Sequence, residues 1–130
     1  MPQQEIEVIL ARQLAEYLAM PIFIVDPAGN LLFYNEPAEG ILGCRYDETG
    51  PMPAGQWSTI FQPVDQDGQP MPPEEVPLMV ATSKRFPAHK SFWIQGLDEN
   101  LRQIEVTAFP LIGQASRFLG AVAIFWEVPE

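Results

Sequence analysis

The sequence predicts an α+β fold built on a five-stranded antiparallel sheet with helices on one face. Two observations carry this prediction: strand-type runs occur as a pair near the N-terminus and as three near the C-terminus, and helical patterns lie before and between these groups. Antiparallel strands pair without helical crossovers, so this grouping favours α+β over an alternating α/β arrangement. The 130 residues fit one domain, expected over residues 21–130, with a flanking helix over residues 1–20.

The first predicted element is an amphipathic helix from Gln3 to Met20, which Pro21 ends. Its apolar residues recur at spacings of four, four, three and one, and they form a single stripe that consists of Ile6, Leu10, Leu14, Tyr17 and Leu18. This stripe either covers the sheet of its own chain or pairs two copies of the chain. The two uses are compatible, and we expect a homodimer that uses the stripe as its interface.

A β-hairpin is predicted directly after this helix. Two runs of β-branched, aliphatic and aromatic residues, Ile22–Val25 and Leu31–Tyr34, flank the turn sequence Asp-Pro-Ala-Gly-Asn. In this turn Asp26 can accept hydrogen bonds from the backbone, and Gly29 tolerates a positive φ. Asn35 follows the second strand, and it is expected to cap a short helix.

The middle of the chain reads mostly as loops. Residues 45–55 and 63–72 are rich in Gly, Pro and acidic residues, and one helical turn is predicted between them at residues 57–61. A longer helix is expected over about residues 73–83, where apolar residues follow helical spacing. Pro77 lies inside this pattern and is expected to distort the first turn.

Three strands are predicted at residues 90–95, 101–112 and 118–128, with turns between them. The last of these is apolar on both faces, so it needs cover on both sides. The core of the domain supplies one cover. The N-terminal helix or a partner subunit is expected to supply the other.

Composition excludes several classes of function. The formal charge of −10 argues against nucleic-acid binding and against direct contact with anionic membranes, because both rely on clustered Lys and Arg. A single cysteine, Cys44, and a single histidine, His89, support neither a disulfide nor a metal site. No signal-peptide pattern is present at the N-terminus, so we expect a cytoplasmic protein.

The order of these elements resembles the PAS family. Four segments carry the resemblance: Tyr34-Asn35 after the hairpin, Ile41-Leu42-Gly43-Cys44 with Asp47-Glu48, Asp67-Gly68-Gln69-Pro70 with the run from Pro72 to Leu78, and the terminal strand from Gly120 to Phe125. The family often ends in Asp-x-Thr, which links the last strand to an output helix, whereas this chain reads Glu127-Val128-Pro129.

The resemblance implies a sensory or interaction domain and no enzyme activity. Such a domain would be the input module of a larger signalling protein, for example a sensor histidine kinase of a two-component system. PAS domains bind ligands between the sheet and the helices, which implies a cavity for a small apolar or aromatic ligand. The aromatic, Met and Ile candidates for its lining are Phe33, Trp57, Phe61, Met79, Phe92, Ile94 and Trp126.

Three alternatives remain open from the sequence. The aromatic and Met side chains can simply fill the core. The chain can instead be a photosensor or redox sensor that binds flavin or haem, although the sequence itself predicts no cofactor. A small cone-shaped α+β enzyme of the ketosteroid-isomerase type is the third, and it would require a carboxylate with a raised pKa buried in an apolar pocket.

Overall fold

The fold is described from a computed structural model, which covers residues 6–53, 56–57, 62–65, 67–72, 75–95 and 101–128. The described helices are α1 (Ile6–Tyr17), α2 (Glu36–Leu42), α3 (Tyr46–Thr49) and α4 (Pro77–Lys84). The strands are β1 (Ile22–Val25), β2 (Leu31–Tyr34), β3 (Gln62–Val64), β4 (Ala88–Gln95), β5 (Leu101–Ile112) and β6 (Phe118–Glu127). The predicted α+β class is confirmed. Among the described residues, no helix is both long and apolar enough to cross a membrane.

The strands form one antiparallel sheet in the order β2-β1-β6-β5-β4-β3. The sheet has six strands, so the expected five-stranded sheet was one strand short. The additional strand is β3, which pairs with the end of β4 where a turn-rich link was expected. Pro63 argues against a strand at the sequence level, because proline is tolerated only on an edge strand or at a bulge. The strand was therefore not predicted.

The β1–β2 hairpin is confirmed with the predicted strand bounds. The Oδ1 atom of Asp26 accepts hydrogen bonds from the backbone N–H groups of Ala28 and Asn30, each at 2.9 Å. Asn35 caps α2 as expected, since its side chain accepts from the backbone N–H of Ala38 at 3.2 Å.

Two groups of buried side chains lie on opposite faces of the sheet. The inner core lies between the sheet and α2 and α4, and its members include Phe23, Tyr34, Leu42, Trp57, Leu78, Phe92, Val106 and Phe125. The outer core lies between the sheet and α1, and it consists of Ala15, Ile22, Ile24, Phe33 and Val122. The final strand β6 contributes to both cores, which confirms that it needs cover on each side.

The N-terminal helix α1 supplies the outer cover, but not through the predicted stripe. Its buried residues are Val8 and Ala15, and small side chains let a helix approach a sheet closely. Four stripe residues face away from the sheet and are 56–87% exposed: Ile6, Leu10, Leu14 and Tyr17. The fifth, Leu18, is half-buried against the outer core. The stripe is therefore available to another molecule.

Helix α4 is shorter than the helix predicted over residues 73–83. It begins at Pro77, because the fixed φ of proline suits the first helical position and its missing N–H is not needed there. Residues 73–74 lie outside the described part of the chain. The helix ends at Lys84, and Arg85 follows in the left-handed conformation with a φ of 60°.

A candidate ligand cavity and the aromatic rings beside it

A cavity of about 60 Å³ lies in the inner core between the sheet and α4. Its described lining consists entirely of apolar side chains: Phe23, Leu42, Trp57, Pro63, Val76, Pro77, Leu78, Phe92, Ile94, Ile104, Val106, Ala123 and Phe125. Pockets that hold drug-sized molecules range from about 300 to 1,000 Å³. The cavity therefore suits a small apolar molecule, and a larger one would require its walls to move.

The structure places six of the seven predicted lining residues, and three of these six line the cavity. Trp57, Phe92 and Ile94 line the cavity. Met79 packs against the inner core without lining the cavity described here. Phe61 lies outside the described residues.

Two predicted lining residues were placed on the wrong face of the sheet. Phe33 belongs to the outer core, and its neighbour Tyr34 faces inward instead. Trp126 lies on the outer face, where its Nε1 donates to Oε2 of Glu105 at 3.0 Å, while Phe125 lines the cavity. Side chains alternate along a strand, so an error of one position reverses the face. The alternation in the sequence could have found Phe125, but nothing local says which face meets the helices.

Trp57 forms one wall of the cavity and is anchored to the β1–β2 turn. Its Nε1 donates to the carbonyl oxygen of Gly29 at 2.8 Å, which satisfies its buried polar group. Its ring meets the ring of Phe23 edge to face, with centroids 5.0 Å apart. A displacement of the Trp57 ring would therefore act directly on Phe23 and thus on β1.

Further ring contacts continue from Phe23 along the hairpin. Phe23 stacks on Tyr34 with centroids 6.0 Å apart, and Tyr34 meets Tyr46 edge to face at 5.4 Å. Tyr46 meets Phe33 edge to face at 5.1 Å. We call this contiguous series the ring chain, and it consists of Trp57, Phe23, Tyr34, Tyr46 and Phe33.

The ring chain ends beneath α1. The guanidinium carbon of Arg12 lies 4.5 Å from the ring centroid of Phe33 and 5.8 Å from that of Tyr46. A guanidinium over aromatic faces is attracted by the negative potential of the rings. This contact joins the helix to the last two members of the ring chain.

Asn35 ties the same helix to the sheet. Its side chain is 2% exposed, and its Oδ1 accepts from the backbone N–H groups of Ile22 and Ala38. Its Nδ2 donates to the carbonyl oxygens of Ala15 at 2.9 Å and Met20 at 2.8 Å. One side chain thus connects the end of α1, the start of β1 and the start of α2.

The two tyrosines of the ring chain have raised pKa values because they are buried. Burial raises the pKa of Tyr34 to about 12, and burial also raises the pKa of Tyr46. The hydroxyl of Tyr34 donates to the carbonyl oxygen of Cys44 at 3.0 Å, and that of Tyr46 donates to the carbonyl oxygen of Leu32. Both tyrosines are therefore neutral at physiological pH.

We expect the stability of the protein to fall from about pH 10 to pH 12 because of Tyr34. Its pKa rises from 10.0 to about 12 on folding, so the unfolded chain loses this proton first. The stabilisation is complete below the unfolded pKa, and it is lost as the pH rises through the folded one. Denaturant titrations over this range measure the decline, which should be shallower in Tyr34→Phe. An equally steep decline in that variant would contradict the assignment.

The residues considered for catalysis or metal binding do not converge. Within the described ranges, no group of three or more His, Cys, Asp or Glu residues is placed to hold a metal, and no carboxylate lines the cavity. Cys44 is half-exposed, and partial burial and the charge of Glu48 raise the pKa of its thiol. The exposed His89 pairs its Nδ1 with the hydroxyl of Thr107 at 2.9 Å.

Neither a family model nor a curated protein matches this sequence, but many solved structures match its fold. The PAS domain of a protein from Colwellia psychrerythraea has a TM-score of 0.65 at 14% identity, covering 93% of this chain and 96% of that one. The PAS domain of nitrogen regulation protein NR(II) from Vibrio parahaemolyticus has a TM-score of 0.63 at 13% identity, covering 92% and 98%. The Rhodobacter sphaeroides LOV protein has a TM-score of 0.73 at 11% identity, covering 97% and 70%. The chain therefore has the PAS fold.

Proposed function

We propose that this chain is a sensory domain of a larger signalling protein, which binds a small apolar or aromatic molecule in the inner-core cavity. Occupancy would be relayed through α1, paired with the same helix of a second copy. The observation that carries the proposal is the apolar cavity between sheet and helix. Domains of similar fold come from a nitrogen regulation protein and from BvgS of Bordetella pertussis, which supports a signalling role such as that of a sensor kinase.

The size and chemistry of the cavity favour a small ligand over a large cofactor. Its volume of about 60 Å³ is a fifth of the lower end of the range for drug-sized ligands. A flavin or a haem would require a much larger opening of the walls. Apolar cavities of modest size stay free of water and take up molecules such as xenon or benzene.

Native mass spectrometry of the purified protein is the first test of ligand binding. Additional mass on each subunit would identify a bound molecule. Xenon is a small apolar probe that suits this cavity. In an NMR experiment under xenon pressure, it should shift the resonances of cavity residues such as Ile94 and Val106. Ala123→Val narrows the cavity and should reduce those shifts. If the purified protein carries no additional mass and xenon also shifts no resonances of cavity residues, the proposed binding is refuted.

The stripe on α1 supports the proposed dimer. Leu10 and Leu14 lie on the same face of α1, and their side chains are 56% and 59% exposed. Exposed apolar surface of this kind is costly in water and is typical of interaction sites. The small residues on the opposite side of the helix already pack on the sheet, so pairing through the stripe would not require the helix to detach.

Leu10→Glu combined with Leu14→Glu is expected to weaken the dimer at least about 100-fold, because two carboxylates would be buried between the helices. Sedimentation equilibrium measures the change. The matched control is Leu101→Glu combined with Ile112→Glu, which alters two apolar residues of similar exposure, 51% and 47%, at the ends of β5. If the α1 variant stays as dimeric as this control, the proposed interface is wrong.

A further inference from the structure

We propose that Tyr46 couples the cavity to α1 by joining the inner and outer parts of the ring chain around the edge of the sheet. This inference rests on the proposed function, since it names the route by which occupancy of the cavity would reach the helix. It assigns a coupling role to a residue that lines no part of the cavity described here and lies outside α1.

The route begins at the cavity wall. Phe23 and Trp57 both line the cavity and meet edge to face at 5.0 Å. A ligand that displaces either ring displaces the other, because packed interiors have few voids to absorb the movement. Phe23 stacks in turn on Tyr34, which lies on β2, the strand at one edge of the sheet. The displacement would therefore reach that edge strand.

Tyr46 provides the turn from one face of the sheet to the other. It is half-buried and packs against the inner core and the outer core alike. Strand β2 is the terminal strand of the sheet, and the hydroxyl of Tyr46 donates to the carbonyl oxygen of Leu32 on it. The Tyr46 ring therefore closes around the edge of β2 and meets Tyr34 on one side and Phe33 on the other.

The segment that carries Tyr46 is tied to its neighbours by a hydrogen bond and by ring contacts. The backbone N–H of Tyr46 donates to Oε2 of Glu39 at 2.8 Å, which fixes α3 to α2. The two aromatic contacts of Tyr46 are both edge to face, the arrangement that ring electrostatics favour. Movement of Tyr34 is thus passed to Phe33 without an intervening flexible segment.

Helix α1 is the element whose position can respond. It is attached through the small buried residue Ala15, the amide of Asn35 and the guanidinium of Arg12 over Phe33 and Tyr46. We infer that α1 opens locally from the sheet at a free energy below that of global unfolding. Any change in the rings beneath Arg12 shifts that equilibrium, and by linkage the docking of α1 affects the cavity equally.

Hydrogen exchange of the α1 backbone amides in the full chain tests the coupling, with β5 amides as the reference for global unfolding. Phe23→Leu is expected to change the α1 exchange rate at least about fivefold, the lower end of typical coupling. Phe92→Leu makes the same substitution in the same cavity outside the ring chain, and we expect a change below about twofold.

The decisive comparison adds a substitution at Tyr46. In a Tyr46→Leu background, the effect of Phe23→Leu on α1 should fall below about twofold, whereas Tyr46→Phe keeps the ring and should keep the coupling. The proposal is overturned if Phe23→Leu and Phe92→Leu act equally on α1. It is also overturned if the Phe23→Leu effect persists in full without the Tyr46 ring.

A second pair of variants keeps the test decisive if Tyr46→Leu does not fold. Arg12→Gln removes the guanidinium from the end of the ring chain at a partly exposed position, and it should uncouple Phe23→Leu from α1 in the same way. Glu16→Gln removes only the ion-pair partner of Arg12, 4.0 Å away, and should leave the coupling intact. Full coupling in Arg12→Gln would refute the route.

These exchange experiments use no ligand, so their outcome is separate from that of the xenon experiment. A cavity that fails to bind xenon, together with intact coupling, would refute the proposed ligand and leave the route in place. Xenon binding without coupling in the substitution series would support the ligand site and overturn the route.

Discussion

Replacing Gly120 by alanine is expected to lower the free energy of unfolding by about 3–5 kcal/mol. Gly120 has a φ of +137°, a conformation that residues with a side chain rarely adopt. A Cβ at this position would lie 2.1 Å from the carbonyl oxygen of Val25, which is backbone and cannot rotate away. Strands β1 and β6 would have to separate next to the pair of Val25 and Ala121.

Gly40→Ala is the matched control for this experiment. Gly40 lies inside α2, and a Cβ there would have no heavy atom within 4 Å other than those of its chain neighbours and the adjacent helix backbone. The same chemical change should therefore stabilise the protein by about 0.5–1 kcal/mol, because alanine is the better helix former. Urea unfolding of both variants measures the contrast, and a cost below about 1 kcal/mol for Gly120→Ala would contradict the packing of β6 on β1.

Asn35→Ala is expected to lower the free energy of unfolding by about 3–4 kcal/mol, because four hydrogen bonds, three of them buried, are lost together. The substitution leaves the N–H of Ile22 and the carbonyl oxygens of Ala15 and Met20 without their side-chain partner. It should also speed hydrogen exchange in α1 more than in β5, because Asn35 joins that helix to the sheet.

Asn35→Asp separates the hydrogen bonds that Asn35 accepts from those that it donates. The carboxylate can still accept from Ile22 and Ala38, but it cannot donate to Ala15 and Met20, and it places negative charge against two carbonyl oxygens. Burial and those oxygens raise the pKa of the introduced group above its unfolded value, so the variant should regain stability as the pH falls through the folded pKa. If Asn35→Ala costs less than about 1 kcal/mol, Asn35 does not have the assigned role.

The sequence by itself determined the elements whose cause is local. The hairpin and its Asp26 turn were predicted because the turn residues and the flanking β-type runs lie next to each other in the chain. The cap on α2 was predicted because Asn35 and the N–H group of Ala38, from which its side chain accepts, are only three residues apart in the chain. The need of β6 for cover on both faces was visible because both sets of alternate residues are apolar.

Other features were decided by the tertiary structure alone. Alternation shows which residues of β2 and β6 share a face, but only packing against α4 decides that Tyr34 and Phe125 face inward while Phe33 and Trp126 face outward. The stripe on α1 was identified, yet the smaller residue Ala15 packs on the sheet because it permits a close approach. Strand β3 exists only through its pairing with β4. The ring chain brings Trp57 to within 5.0 Å of Phe23 across 34 positions of sequence, and contacts between such distant residues leave no local pattern.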